Sequence, residues 1–196
     1  RQADYLLMGP GSPTYTVSQL KDSPIPEIMV ELINRGGCLV AASAAALTAG
    51  RYTLPVYEIY KVGEPPHWVE GLDLLGTFGL SLVVIPHWNN AEGGTHDTSR
   101  CFMGSSRFTQ LVDRLDEPLP VLGLDEHTAI IIDFSAQVFT VHGIGTIVLE
   151  HGSAQQHFTP GNAYPLQQLQ NEPGSEEIST EKIQQPVVPD QQPESQ

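Results

Sequence analysis

The sequence is poor in cysteine and in basic residues, and each shortage excludes a class of protein. Two cysteines in 196 residues cannot build the disulfide framework of a small secreted domain. We therefore expect Cys38 and Cys101 to be reduced thiols in the core of a cytoplasmic protein. Only nine Lys and Arg oppose 23 Asp and Glu, which gives a net charge of −14. Such a charge argues against nucleic acid and anionic membranes, so we expect a small molecule or a peptide as the partner.

Long apolar runs and metal-binding motifs are also missing. No run approaches the roughly 18 apolar residues that a membrane-spanning helix needs, and no signal peptide is visible. One group of potential metal ligands exists, formed by His87, Glu92, His96 and Asp97. Its spacing matches no standard zinc motif, and the two glycines within it favour a loop. We therefore predict neither a metal nor another cofactor.

The composition predicts one folded domain followed by a tail. Hydrophobic residues make up 40% of the chain, which is enough for the core of a single domain. After about Gln167 the chain consists mainly of Gln, Pro, Glu and Ser, which bury too little apolar surface to fold. We thus predict an α/β domain over residues 1–166 and a disordered tail over residues 167–196.

Apolar strands and amphipathic helices alternate along the chain in the order typical of a parallel sheet. The predicted elements are strands over Tyr5–Met8, Cys38–Ala42, Leu80–Ile85 and Val121–Leu124, and helices over 24–35 and 98–115. From Thr128 onward, short strands joined by Gly and Ser turns predict an antiparallel extension at the sheet edge. Residues 51–68 show weak periodicity and are expected to form a loop that serves as a pocket wall or lid.

Ser43 lies where the strand Cys38–Ala42 meets the start of an alanine-rich helix that ends at Gly50. A strand that turns sharply into a helix lifts the side chain at the turn above the sheet, as in a nucleophile elbow. It also directs the free N–H groups of the helix N-terminus at whatever binds there. A buried turn with a serine that caps the helix fits these residues equally well.

Two further polar groups follow apolar strands in the same way. His87 comes after the strand ending at Ile85, and the pair Asp125 and Glu126 comes after the strand ending at Leu124. Neighbouring strand ends lie about 5 Å apart in a sheet, so these side chains are able to converge on Ser43. A nucleophilic hydroxyl needs a base within hydrogen-bond reach and a carboxylate that orients the base. The order of these groups therefore suggests a catalytic triad.

Four motifs resemble those of the serine peptidase family that contains dipeptidase E and cyanophycinase. Residues 9–14 (Gly-Pro-Gly-Ser-Pro-Thr) resemble its Gly-Gly-Gly-Asn-Thr loop, and residues 42–46 resemble its Ser-Ala-Gly-Ala elbow. Residues 86–90, followed by Glu-Gly, resemble the segment that bears its catalytic histidine. Residues 122–129 are similar to its Leu-Gly-Ile-Asp-Glu-x-Thr-Ala strand end. The resemblance covers residues 5–158 and implies a three-layer α/β sandwich with a mostly parallel sheet of the class I glutamine amidotransferase-like type.

The resemblance also implies the roles of the site residues in the hydrolysis of small peptides. Ser43 would be the nucleophile, His87 the base and Glu126 its acidic partner. The oxyanion hole would be formed by the amide of Ala44 and by the loop that contains Gly9 and Gly11. Asn89 and Arg100 are further candidates for substrate binding. For Arg100 the reason is that it follows His87 closely and that its guanidinium suits a substrate carboxylate.

The departures from the family pattern leave a second interpretation open. Ala45 stands where the elbow usually has glycine, and Pro10 lacks an amide hydrogen that would serve the oxyanion. Only four residues precede the first strand, so we expect the first βα units of the family fold to be missing. The exposed sheet edge would then need a cover, for which a homodimer is one solution. The alternative to a hydrolase is a non-catalytic domain of the same fold that binds a ligand or a partner.

Overall fold

A computed structural model of the protein describes residues 2–170. Within them, the strands are β1 (Tyr5–Met8), β2 (Cys38–Ala41), β3 (Tyr52–Thr53), β4 (Val69–Glu70), β5 (Val83–Ile85), β6 (Val121–Leu124), β7 (Thr128–Asp133), β8 (Val138–Gly143), β9 (Ile147–His151), β10 (Ala154–Phe158) and β11 (Ala163–Pro165). The α-helices are α1 (Pro13–Leu20), α2 (Ile25–Asn34), α3 (Ala44–Thr48) and α4 (Gly104–Val112). Shorter helical turns cover Glu58–Val62, Gly76–Phe78 and Leu166–Leu169. No helix in the described part of the chain is long and apolar enough to cross a membrane.

The strands whose ends carry the predicted site residues form two parallel pairs, which lie in separate sheets instead of the single sheet that was expected. β1 pairs with β2 so that Met8 lies opposite Ala41, and β5 pairs with β6 so that Ile85 lies opposite Gly123. The first pair leads into the glycine loop and the Ser43 turn, and the second leads into the His87 and Glu126 turns. The α/β class predicted from the sequence is confirmed, and the strand bounds of β1 and β6 agree with the prediction.

Antiparallel pairing extends further into the sheet than the sequence analysis expected. β9 pairs directly with β6 in a sheet of order β10-β9-β6-β5, and β11-β8-β7 form a second antiparallel sheet. Among the described strands, antiparallel pairs therefore outnumber parallel ones. For the consecutive pairs β7–β8 and β9–β10, the physical reason is a connection of only a few residues, which is too short for the crossover that parallel pairing requires.

The sheet that contains β5 and β6 is buried on both faces, because alternate residues of each strand enter two different cores. Val83, Ile85 and Val121 pack with the aromatic and aliphatic side chains of α3 and α4. Val84 and Leu122 pack on the opposite face against β8, β9, Phe158 and the last helical turn. This layering explains why both strands are apolar throughout instead of alternating.

Two predictions about the core are wrong. Cys101 is buried, but Cys38 is exposed, because it lies opposite the exposed Tyr5 at the start of the β1–β2 pair. The predicted domain boundary after residue 166 cuts through the last helical turn, in which Leu166 and Leu169 are both buried. The packed chain thus continues to Leu169. The rest of the predicted tail, residues 171–196, lies outside the described residues.

Two elements near the site also differ from the prediction. The helix predicted over 98–115 begins only at Gly104, because residues 100–102 have left-handed backbone angles that an α-helix does not accept. The stretch predicted as a loop over 51–68 contains β3 and the helical turn Glu58–Val62. That turn still contributes Tyr60 and Lys61 to the wall of a cavity beside Ser43.

Candidate active site

Ser43 occupies the turn between β2 and α3 with a backbone conformation that residues other than glycine rarely adopt. Its φ is 54° and its ψ is −113°, and its carbonyl accepts the amides of Ala46 and Leu47 as α3 begins. The side chain makes no capping hydrogen bond to the helix, so it does not act as the capping serine of the alternative interpretation. Backbone strain of this kind persists only where the surroundings enforce it, and it is common at functional sites.

His87 follows β5 and reaches the hydroxyl of Ser43. Its Nε2 lies 2.9 Å from Ser43 Oγ. Its backbone also has a left-handed φ of 54°. Two backbone hydrogen bonds hold this turn, because the amide of Trp88 donates to Leu124 at the end of β6 and the amide of Cys101 donates to the His87 carbonyl. The imidazole is therefore positioned by both neighbouring segments.

Glu126 follows β6 and contacts the other ring nitrogen of His87. Its Oε1 lies 3.0 Å from His87 Nδ1 and also accepts a hydrogen bond of 2.7 Å from the amide group of Asn90. The bond from Asn90, followed by that from His87, lowers the pKa of the Glu126 carboxyl below its usual value. The only neutral tautomer that satisfies both neighbours has its hydrogen on Nδ1, which leaves Nε2 free to accept from Ser43.

The structure distinguishes between the two carboxylates of the Asp125–Glu126 pair. Asp125 Oδ2 accepts the backbone amide of Thr146 at 2.8 Å and its hydroxyl at 2.9 Å, so this side chain faces β9. Glu126 alone of the two contacts His87. The backbone amide of Glu126 donates to Asn89 Oδ1 at 2.8 Å, which fixes the turn.

A cavity of about 260 Å³ opens beside Ser43. Of the residues predicted for the oxyanion hole, Ala44 and Gly11 line this cavity and Gly9 does not. The loop is held by α1, because Ser12 Oγ accepts the amide of Tyr15 at 3.2 Å and Pro13 opens the helix. Ala45 is buried within α3 and is not among the residues with a left-handed φ, so the backbone there does not require glycine.

The two residues predicted to bind substrate lie in other surroundings. Asn89 uses its side-chain oxygen on the Glu126 amide and does not line the cavity. The guanidinium of Arg100 lies over the ring of Trp88, 4.4 Å from its centroid, and is also not a cavity residue. This cation–π contact accounts for the orientation of the Arg100 side chain.

Sequence reasoning missed the role of Asn90 and the aromatic side chains of the cavity wall. Asn90 is buried, and its position at the end of the histidine motif was the only available signal. The wall contains Tyr57, which directly precedes the helical turn, Tyr60 within that turn, and Phe102 from the left-handed turn. The ring of Phe102 lies 6.0 Å from the His87 ring, measured between centroids.

Two of the four potential metal ligands named from the sequence make other contacts. His87 contacts Ser43 and Glu126, and Asp97 accepts hydrogen bonds from Ser99 and from the amide of Ser105. These bonds lower the pKa of Asp97, with the amide of Ser105 as the largest cause. Within residues 2–170, no group of three or more His, Cys, Asp or Glu side chains is arranged to hold a metal ion.

Comparison with known proteins yields structural matches. No family model matches the chain, and no curated protein matches it. A peptidase from an acI-B1 Actinobacterium aligns over 83% of this chain and 59% of its own, with a TM-score of 0.63 and 20% identity. A protein from Listeria monocytogenes EGD-e, described as a candidate peptidase E, aligns over 80% and 60% respectively, with a TM-score of 0.44 and 13% identity.

These matches bear on the fold. The chain spans about 60% of the length of the solved structures that it matches. The structural similarity to the Listeria protein is too low to support an argument. The similarity to the actinobacterial peptidase shows a shared fold. The mixed α/β architecture, with parallel strands leading into the site, is therefore that of a peptidase of known structure and is consistent with the class I glutamine amidotransferase-like type.

Proposed function

We propose that the protein is a serine-type hydrolase of small peptides, related to dipeptidase E and cyanophycinase. One observation carries the proposal, namely the continuous chain of hydrogen bonds from Ser43 Oγ through both ring nitrogens of His87 to Glu126. Nucleophile, base and orienting carboxylate stand in the order that acyl transfer requires. The fold shared with a peptidase supports it.

The proposed reaction begins when Ser43 Oγ attacks the carbonyl carbon of the scissile amide. His87 Nε2 takes the hydroxyl proton and then donates it to the leaving amine, while Glu126 stabilises the imidazolium and its orientation. The C–N bond breaks and an acyl ester forms on Ser43. Water, activated by the same imidazole, then hydrolyses this ester and regenerates the serine.

The oxyanion of each tetrahedral intermediate needs hydrogen-bond donors close to Ser43, in addition to the His87 and Glu126 side chains. Ala44 provides the first amide of α3, one of the N–H groups that a helix leaves without an internal partner. Gly11 provides a second amide from the loop that lines the same cavity. A preorganised donor of this type is worth a factor of about 10²–10³ in rate.

Labelling with a fluorophosphonate probe tests the proposal. Such a probe forms a covalent bond only with an activated serine, so the parent protein should be labelled once and Ser43→Ala not at all. Ser18→Ala is the matched control, because Ser18 is an exposed serine on α1 outside the site. A folded parent protein that stays unlabelled would favour the non-catalytic binding domain.

Four expectations from the sequence stay predictions. They are the cytoplasmic location, the peptide partner, the homodimer and the exclusion of nucleic acid.

A further inference from the structure

The cavity beside Ser43 is lined mainly by apolar and aromatic side chains. Leu47 and Val56 are buried at 2% and 7% exposure and form its inner part. Tyr57, Tyr60 and Phe102 form the outer part, and both tyrosines keep about two-fifths of their surface exposed. An apolar group bound in this cavity would remove the exposed apolar surface beside Ser43 from water, which favours binding.

The aromatic part of the wall connects the cavity to the candidate triad. The rings of Tyr60 and Phe102 lie 5.5 Å apart, and the ring of Phe102 lies 6.0 Å from that of His87, measured between centroids. These distances are typical of interacting aromatic pairs. A side chain that packs against Tyr60 and Phe102 would therefore lie beside the atoms that are proposed to react.

An unusual turn holds Phe102 in this place. Arg100, Cys101 and Phe102 have consecutive φ values of 54°, 55° and 69°, all in the left-handed region. The turn is tied to the histidine segment by amide hydrogen bonds from Arg100 to the Trp88 carbonyl and from Cys101 to the His87 carbonyl. Three successive non-glycine residues in this region are strained, and strain of this kind is common where a side chain is fixed for function.

The volume of the cavity fits one large side chain. A dry cavity of about 150 Å³ is enough to bind benzene, whereas pockets for drug-sized ligands start at about 300 Å³. The cavity of about 260 Å³ lies between these values. It therefore accommodates an aromatic ring with its attached backbone, but not an extended peptide.

The charges around the cavity disfavour a basic occupant. No Asp or Glu is among its lining residues, and the one permanent cation is Lys61, whose ammonium group lies 4.4 Å from the centroid of the Tyr57 ring. A lysine or arginine side chain would find no carboxylate there and would meet a like charge. An acidic side chain that pairs with Lys61 is the competing occupant.

From these observations we infer that the cavity is a specificity pocket for an aromatic or large aliphatic side chain on the acyl side of the scissile bond, with Tyr60 and Phe102 as its determinants. This inference rests on the proposed hydrolase function. The walls supply apolar contact area, and the polar groups of the site are left for the reacting carbonyl.

A series of N-acetyl amino acid p-nitrophenyl esters tests the inference, because the leaving group is constant and only the acyl side chain changes. We expect kcat/KM for the phenylalanine ester to exceed that for the alanine ester at least tenfold, since an apolar pocket discriminates by about 10–200-fold for each methylene group. Equal values, or a preference for the aspartate ester that Lys61→Met abolishes, would overturn the inference.

Alanine variants of the cavity wall test which side chains determine the preference for the phenylalanine ester. Tyr60→Ala and Phe102→Ala should each lower the ratio of phenylalanine to alanine ester at least threefold. The ratio is informative because any effect of Phe102 on His87 changes both esters equally. Tyr5→Ala, which removes an exposed ring at the start of β1, should leave the ratio unchanged. A ratio that survives both wall variants would assign the preference to another surface.

Binding to Ser43→Ala separates this inference from the proposed function. N-acetylphenylalanine amide should bind this variant at least fivefold more tightly than N-acetylalanine amide, measured by NMR titration. If the parent protein fails to react with the fluorophosphonate but this binding preference holds, the hydrolase proposal fails and the pocket stands. If the probe labels Ser43 but neither ester turnover nor binding distinguishes the two side chains, the pocket fails alone.

Discussion

The candidate active site and the C-terminal strands β7–β11 are shaped by different kinds of sequence information. In β7, exposed and more buried residues alternate strictly, and six register pairs join it to β8. The site instead depends on turns at Ser43, His87 and residues 100–102, all of which hold non-glycine side chains at positive φ. Regular alternation specifies the strands, whereas specific hydrogen bonds specify the turns.

This difference has an energetic consequence. A non-glycine residue in the left-handed region costs on the order of 1–3 kcal/mol, so the site turns destabilise the fold that carries them. The C-terminal strands offset this cost with a buried aromatic cluster, in which Phe139 packs 4.9 Å from Phe158 and 5.2 Å from Tyr164 between ring centroids. We therefore expect substitutions in the site to change activity far more than stability, and substitutions in the cluster to do the reverse.

The largest expected effect is that of Ser43→Ala on peptide hydrolysis. Loss of the nucleophile should lower kcat by on the order of 10⁴–10⁶. Alanine at this turn has the same backbone strain and fills less space, so the midpoint of urea unfolding should stay close to that of the parent. A variant that unfolds much earlier than the parent would show that the serine side chain holds the turn together.

Phe139→Ala should have the opposite signature. Phe139 is fully buried, and removing its ring should lower the free energy of unfolding by about 3–5 kcal/mol. Fluorophosphonate labelling measured well below the unfolding transition should keep its parental rate, because Phe139 packs in a different core from that of Leu47 and Trp88 beside the site. A labelling rate that falls together with stability would mean that the two regions are coupled.

Truncation at two positions examines the end of the C-terminal region. Ending the chain after Leu166 removes Leu169, which is buried, and should cost about 2–5 kcal/mol in urea unfolding, as for the loss of another buried leucine. Ending it after Gln170 removes only the segment whose composition cannot form a core, so stability should stay unchanged. Leu169→Ala in the full chain is the control that assigns the loss to this side chain. Equal stability of both truncations would restore the boundary predicted from composition.

Much of the fold follows from the sequence, whereas the site follows only in part. Apolar runs predicted β1 and β6 with their observed bounds, and their C-terminal ends predicted where polar groups would gather. The 100–102 turn was not predictable, because Arg, Cys and Phe carry no signal for a left-handed backbone and the apolar spacing of 98–115 suited a helix. Arg100 was expected to bind a substrate because the sequence shows its charge and its closeness to His87. The sequence does not show that the Trp88 ring holds its guanidinium.

Asn90→Ala should shift the acid sensitivity of the site. The pKa of folded Glu126 is lowered, mainly by the Asn90 hydrogen bond, so the ionised carboxylate favours the folded state. This contribution is fully present above the ordinary pKa of a glutamate and is lost as the pH falls through the lowered value. Removing Asn90 raises the folded pKa, so activity should begin to fall at a higher pH. The part of the stability that is lost on acidification should become smaller, because the folded and unfolded pKa values lie closer together.

The magnitude of the Asn90→Ala effect follows from one hydrogen bond to a charged group, which is worth about 1.5–3 kcal/mol when lost. We expect at least tenfold lower kcat/KM near neutral pH. Asn89→Ala is the matched control, because it contacts the Glu126 amide and not the carboxylate. NMR titration of the Glu126 carboxyl should show a raised pKa only in Asn90→Ala. A shift of the same size in both variants would assign the effect to the backbone turn.

The smallest expected effect is that of Ala45→Gly, which restores the glycine of the family pattern two residues after Ser43. Ala45 is buried in α3 without a left-handed φ, and its amide donates to the Ala42 carbonyl at 3.1 Å. Glycine should therefore lower the free energy of unfolding by roughly 0.5–1 kcal/mol through backbone entropy. The fluorophosphonate labelling rate should change less than twofold, because the turn already accommodates the methyl group. A severalfold faster reaction would instead show that crowding at Ala45 limits Ser43, and that the regular helix and the strained turn are not independent.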